Sequence, residues 1–432
     1  MRRQRLLNKL GDGVLVLCGA PETIRNGDVL NDYRPDSDLV YLTGFPEPSV
    51  VLVAWRLDRR RHRAVLFVRP RDKTREIWDG RRFGTRGAQQ RFGVDEARPI
   101  DELWSDLPEM ISNDGSLWHT FGRDADFDRR LFEVFGAVAQ RRRKRRLPAH
   151  PTLRDPRPAL AAQRLVKDAA EQDAMRRAAA ITCAGHVAAM TVTRPGMYEY
   201  ETQAALEKVF RDAGSPRNGY PSIVASGANA CVLHYHENDR RMRSGDLLLI
   251  DAGAEIEGLT GDVTRTFPVN GVFSDPQKAV YQVVLRALAA GIRACKPGAA
   301  WDRPHRACVR ALTKGLVDLG VLRGDAASLV KADAYRPFYM HGTSHWIGRD
   351  VHDVGGYEDA QGRPVTMPVG AVLTVEPGLY FARDDRDVAR ELRGIGVRIE
   401  DDVLITKSGP VVLTAAAPKA VRDIEALMRR AR

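Results

Sequence analysis

Cysteine is scarce in this chain: five residues among 432, at positions 18, 183, 231, 295 and 308, with no C-x-x-C spacing. That scarcity argues against a disulfide-stapled scaffold and a zinc site built from cysteines; the scattered residues read as reduced thiols of a cytoplasmic protein. Long hydrophobic runs are missing as well. No apolar stretch approaches the ~20 residues a membrane-spanning helix needs, so no membrane association is expected. The opening, MRRQRLLNKLGDGVLVLCGAPE, couples a basic start to a short apolar run, but Asn8, Lys9, Gly11, Asp12 and Gly13 interrupt it, which argues against a secretory signal.

What is present is ordinary for a soluble globular chain: 44% hydrophobic and 28% charged residues, enough length for two or three domains. The net charge of +11 is partly local, in RRRKRR at residues 141–146 and RRRHR at residues 59–63. Such runs are usually solvated faces or helix ends. No recognition helix, zinc finger or RNA-binding signature accompanies them, so nucleic acid is not an expected partner.

Along the first third, residues 14–18, 50–55 and 64–68 read as buried strands, and residues 101–112 and 128–140 as helices. That alternation predicts a small α/β layer domain. The segment YLTGF reads as a further strand, and LPAHPTLRDPR at residues 147–157, with its three prolines, as a linker. Long helices are expected over residues 167–193, stopped by Arg194-Pro195-Gly196, and over residues 200–213. The run from Gly245 to Val269 reads as a hairpin, residues 276–294 and 303–319 as helices, and residues 371–405 as a second strand-rich region.

Polar residues interrupt these later strands at particular places. Asp251 ends the apolar run LLLI, and Asp262 stands where the hairpin returns, so the two carboxylates can approach. Glu376 lies in VLTVEPGLY; in GVRIED, period-two alternation puts Arg398 and Glu400 on one face. His345 follows His341 by four residues in HGTSHWIG. Carboxylates in β runs are costly to bury unless paired or bound to cations. Four carboxylates and one imidazole suit Mn²⁺, Co²⁺, Fe²⁺ or Zn²⁺ better than Ca²⁺. Two such ions can share a hydroxide and polarise a carbonyl. Singly, each residue also fits a turn, a cap or a surface pair; the order and setting of all five carry the argument.

The segments DAG-x₇-GDVTRTF, HGTSHWIGRDVHD, TVEPGLY and RGIGVRIEDD resemble the metal-binding motifs of the aminopeptidase P and prolidase group, and YLTGFPEPSVVLV with EIWDGRR resembles the N-terminal domain of the bacterial aminopeptidases P. The resemblance covers nearly the whole chain. It implies a creatinase-like α/β domain over residues 1–166, serving substrate access and oligomerisation, and an α+β catalytic domain of the pita-bread fold over residues 167–432. It further implies two divalent ions, Mn²⁺ foremost with Co²⁺ or Zn²⁺ as alternatives, on Asp251, Asp262, His345, Glu376 and Glu400.

By the same resemblance, Glu376 accepts a proton from the attacking water, His234, His341 and His352 line the substrate site, and Tyr380 and Arg398 stand beside the proline pocket. Asp28 matches an acidic residue that reaches a neighbouring subunit's site, so a homo-oligomer, dimer or tetramer, is expected. The implied activity is release of the first residue from peptides with proline second. A prolidase limited to dipeptides shares the ligand set, a creatinase-like hydrolase needs no metal, and a non-catalytic binding protein of this fold typically loses ligands. His236 carries no assignment, His186 reads as packed or surface, and His62, His119, His150 and His305 show no partner pattern. Trp55, Trp104, Trp118 and Trp346 read as packing.

Overall fold

The computed structural model describes residues 1–112, 116–148 and 152–431 and divides into two compact units, Met1–Arg164 and Leu165–Arg432. His150, and the centre of the expected linker, lie outside the described residues.

The first unit is a six-stranded mixed sheet in the order Glu96–Pro99, His62–Val68, Val51–Arg56, Val14–Cys18, Ser116–His119, Thr152–Arg154. Period-two alternation gives its strands two apolar faces. Leu15, Leu17, Leu52, Ala54, Leu66 and Val68 pack with Leu6, Leu7 and Leu10 of the first helix. Val14, Val16, Val51, Val53, Val65 and Phe67 pack on the other face with Leu107, Leu131 and Val138 from two later helices. Two sequence expectations are corrected here. YLTGF is not a strand: Ser37–Thr43 is a helix, started by Asp36, which accepts from the Leu39 N–H at 2.8 Å, and ended by left-handed Gly44. Aromatic and β-branched content suggested a strand, and the caps decided otherwise. Nor are residues 147–157 simply a linker, because Thr152–Arg154 joins the sheet edge parallel to Ser116–His119. The basic run at 141–146 ends the helix Ala125–Lys144, with buried Arg142 donating to the Ser112 and Pro148 carbonyls.

The second unit is built from two small three-stranded sheets and four long helices. One sheet has the order Val263–Pro268, Leu247–Ala252, Ile223–Ser226, the other Val372–Val375, Asp401–Thr406, Gly409–Val412, and a two-stranded ribbon pairs Gly378–Tyr380 with Gly396–Arg398. Helix Ala169–Val192 begins with a capping box of Asp168 and Glu171, and Asp275–Ala294 with one of Ser274 and Gln277. The latter crosses Arg303–Asp318 closely: a Cβ at Gly291 would lie 2.6 Å from Cys308 Sγ. The expected hairpin from Gly245 is real, with Asp251 opposite Thr264, but its loop folds into a smaller hairpin of its own, Glu255–Ile256 with Leu259–Thr260. No helix of the described residues is long and apolar enough to cross a membrane.

Candidate metal centre

The strand-rich ends of the second unit converge on a cavity of about 440 Å³. Asp251 is the penultimate residue of its strand and Asp262 directly precedes the strand that pairs with it, so strand register alone brings them near. The Tyr220 hydroxyl joins them, 2.6 Å from Asp251 Oδ1 and in closer contact still with Asp262 Oδ1. Glu400 is fixed from both ends. Its N–H donates to the Thr264 carbonyl at 3.1 Å, and its Oε2 accepts from Thr264 Oγ1 at 2.7 Å. Behind it, the fully buried Arg265 donates to the Glu400 carbonyl at 2.5 Å and to Asp401 at 2.8 Å. Glu376 follows the strand Val372–Val375, its N–H held by the Thr343 carbonyl at 2.8 Å. His345 Nε2 lies 3.4 Å from Asp262 Oδ2 and 3.7 Å from Glu376 Oε1.

A directional chain runs behind this group. Arg398 donates to Asp251 Oδ2 at 2.7 Å, to Thr264 Oγ1 at 3.1 Å and to the Tyr380 hydroxyl at 3.2 Å. Tyr380 then donates to His341 Nε2 at 2.8 Å, and His341 Nδ1–H donates to the Gly342 carbonyl at 2.7 Å. Both nitrogens of His341 are thereby committed, which ties this ring to the scaffold. His352 stands edge-on to His345 at 4.4 Å, and His234 lines the cavity with its ring 6.4 Å from that of His236.

Four carboxylates, Asp262 and Glu400 buried and Asp251 and Glu376 partly so, face one permanent cation, Arg398. Burial, then Asp262, Glu376 and Asp251, hold the Glu400 carboxyl well above its usual range. Burial likewise raises Asp251 against the pull of Arg398, and raises Glu376 to about 7 against the pull of His345 and Arg398. Asp262 is the exception: burial raises it, but His345, Tyr220 and Arg398 together lower it below its usual range. Ligand atoms of Asp262, His345 and Glu400 all lie within 4.8 Å of one another. Oxygen-rich donors with one imidazole and uncompensated negative charge fit divalent cations. Asp251, joined to Asp262 through Tyr220, and Glu376, 3.7 Å from His345, could complete sites for two ions.

Asp28 belongs to the other unit, exposed in the turn of the hairpin Ile24–Asn26 with Val29–Leu30, and is not part of this cavity. His186 is packed, its Nε2 3.2 Å from the Ala252 carbonyl. Sequence reasoning missed Tyr220 and Thr264, and passed over His236, which lines the cavity. A tyrosine ahead of a proline carries no periodic signal, and a threonine in a strand looks like β propensity.

Fold and site together define a metallopeptidase: residues 173–407 match metallopeptidase family M24, and residues 1–118 match the N-terminal domain of aminopeptidase P. An Xaa-Pro aminopeptidase of Escherichia coli is 43% identical, covering 100% of this chain and 97% of its own. The structure of a Pseudomonas aeruginosa aminopeptidase, PepP, superposes with a TM-score of 0.96 at 45% identity, covering 100% of this chain and 97% of that one. A zinc-substituted E. coli aminopeptidase P in complex with product gives 0.95 at 42% identity, covering 100% and 98%. The chain belongs to family M24, in its aminopeptidase P branch.

Proposed function

We propose that this chain removes the N-terminal residue from peptides whose second residue is proline, using two divalent ions, Mn²⁺ by preference, held by Asp251, Asp262, His345, Glu376 and Glu400. The observation that carries the reading is the convergence of these five side chains, from segments scattered over some 150 residues of sequence, on one cavity whose lining holds one arginine, Arg398, to balance them. When bound, the ions supply Lewis-acid polarisation of the scissile carbonyl and a water acidic enough to attack it near neutral pH.

The chain's own residues do the rest. Glu376 faces the cavity from a strand end, its Oε2 3.8 Å from His341 Nδ1, and it accepts the water's proton and returns it to the departing proline nitrogen. His352 and His234, on the cavity wall, donate to the developing oxyanion, a type of contact worth about 3 kcal/mol. His341, anchored through Tyr380 and Arg398, keeps the wall in register with Asp251. Proline lacks the N–H on which strand-like substrate pairing relies, which is why its bond needs a site of this kind.

The exposed apolar residues Ile24, Val29 and Leu30 around Asp28 support a homo-oligomer, dimer or tetramer, in which the first unit shapes a neighbour's substrate entrance. A cytoplasmic setting accords with five free cysteines. The test is hydrolysis of Ala-Pro-Ala and Gly-Pro with Mn²⁺ supplied and chelator as control. Release of alanine from the tripeptide supports the aminopeptidase; cleavage of the dipeptide alone would replace it with a prolidase, and full activity in chelator would remove the metal from the mechanism.

A further inference from the structure

His305 lies in the first turn of the helix Arg303–Asp318, outside every motif that carries the proposed metal ligands, yet its ring reaches the strap of residues 341–345. Its Nδ1 lies 2.8 Å from Thr343 Oγ1, and the same hydroxyl lies 2.5 Å from the Tyr339 hydroxyl. Thr343 and Tyr339 are both about 1% exposed. Proton counting orders this trio. Tyr339 is fully buried and must donate, so Thr343 accepts from it. Thr343 then has one proton to give, and the imidazole Nδ1 is the strong acceptor in reach. Cys308, also beside this hydroxyl, offers only a weak sulfur acceptor and spends its own thiol proton on the Ala287 carbonyl. The order Tyr339 to Thr343 to His305 thus places the ring proton of His305 on Nε2.

Thr343 is where this chain meets the site. Its carbonyl accepts the Glu376 N–H at 2.8 Å. Two residues on, His345 and Thr374 bond each other twice, N–H to hydroxyl at 3.1 Å and N–H to carbonyl at 3.0 Å. The Tyr339 ring stands edge-on to His341 at 4.8 Å. The segment 341–345 is thus bonded to Thr374 through His345 and to Glu376 through Thr343.

We propose that His305 is a positioning residue: by accepting the Thr343 hydroxyl it locks the strap of residues 341–345 against Glu376, holding His345 and Glu376 at their mutual spacing. This rests on the metallopeptidase reading above, and the experiment separates the two.

Wild-type and four variants are compared: His305→Leu and Thr343→Val, which delete the bond, and His305→Asn and Thr343→Ser, which keep an acceptor or a hydroxyl in place. Mn²⁺ affinity is measured by calorimetry, kcat and KM on Ala-Pro-Ala, and Tm on each. The expected result is a three- to tenfold fall in kcat and a comparable weakening of Mn²⁺ binding in the deleting pair, with KM within twofold. Both quantities should recover in the conservative pair. Wild-type metal affinity in His305→Leu and Thr343→Val would overturn the proposal, and so would a His305→Asn variant as impaired as His305→Leu, since ring packing alone would explain that. Should wild type bind Mn²⁺ but leave the tripeptide intact, the function is wrong while the metal-affinity comparison still judges His305.

Discussion

Tyr220→Phe removes one oxygen from the centre of the site and leaves the ring that fills its place. Burial, then Asp251, Asp262 and Glu400, hold this phenol well above its ordinary pKa, so it is a hydrogen-bond donor at every working pH. It has one proton for two carboxylate oxygens, so the substitution deletes one charge-assisted bond, worth about 1.5–3 kcal/mol in buried surroundings. Arg398 still holds Asp251 and His345 still faces Asp262, so each carboxylate keeps one partner. The lost term falls on the orientation of the two ligands, where outer partners typically govern about 10–100-fold in metal affinity or activity. The same range follows from 1.5–3 kcal/mol at tenfold per 1.4 kcal/mol. Calorimetric titration with Mn²⁺ should show that weakening, with circular dichroism unchanged. An affinity within twofold of wild type would refute the idea that the hydroxyl orients the ligands.

Glu376→Ala should reduce hydrolysis at least a thousandfold even at saturating metal, as read by kcat with metal content measured on the same sample; near-wild-type kcat at full occupancy would remove Glu376 from both of its roles. Arg398→Lys should cost on the order of tenfold or more in kcat, because an ammonium cannot serve Asp251, Thr264 and Tyr380 together from a planar fork; equal activity would mean that charge alone matters. Removing metal should make stability pH-dependent. Glu376, raised by burial to about 7 in the metal-free site, disfavours the fold increasingly from its unfolded pKa of ~4.3 up to about 7. His345, where Asp262 and Glu376 outweigh burial and raise the ring to about 9, contributes stability present below ~6.5 and lost as pH climbs through about 9. Both signs agree, so the gap in Tm between Mn²⁺-loaded and chelator-treated protein should widen from pH 5 to pH 9; a constant gap would contradict it.

Four of the five proposed ligands were legible because a carboxylate in or beside an apolar β run violates local expectation. Asp251 after LLLI and Glu400 after Val397 and Ile399 announce themselves. Tyr220, Thr264 and Thr343 violate nothing: Thr264 sits where a strand favours threonine, Thr343 lies in a loop where a hydroxyl is ordinary, and a half-buried tyrosine is common. Their importance arises only when register sets Thr264 opposite Asp251 and a helix start brings His305 to Thr343. The helix at Ser37–Thr43 was hidden for the converse reason, since aromatic and branched residues outweighed the Asp36 and Gly44 caps in a segment of seven residues. The strand Thr152–Arg154 was hidden by the prolines on either side and by its edge position, where proline is tolerated.

The binding of Glu400 by Thr264 and Arg265 also sets a clock on biosynthesis. The ribosome delivers Asp251 and Asp262 long before Glu400, and at roughly 5–20 residues per second the interval is on the order of ten seconds. Until the segment Asp401–Thr406 arrives, Arg265 lacks its carboxylate and the strand Val372–Val375 its neighbour. A nascent chain thus carries a half-set of acidic ligands beside an unpaired arginine, too open to hold a cation selectively. A chain released short of its last strands would lack Glu400 and the partner of Arg265, so metal loading should follow completion of the polypeptide.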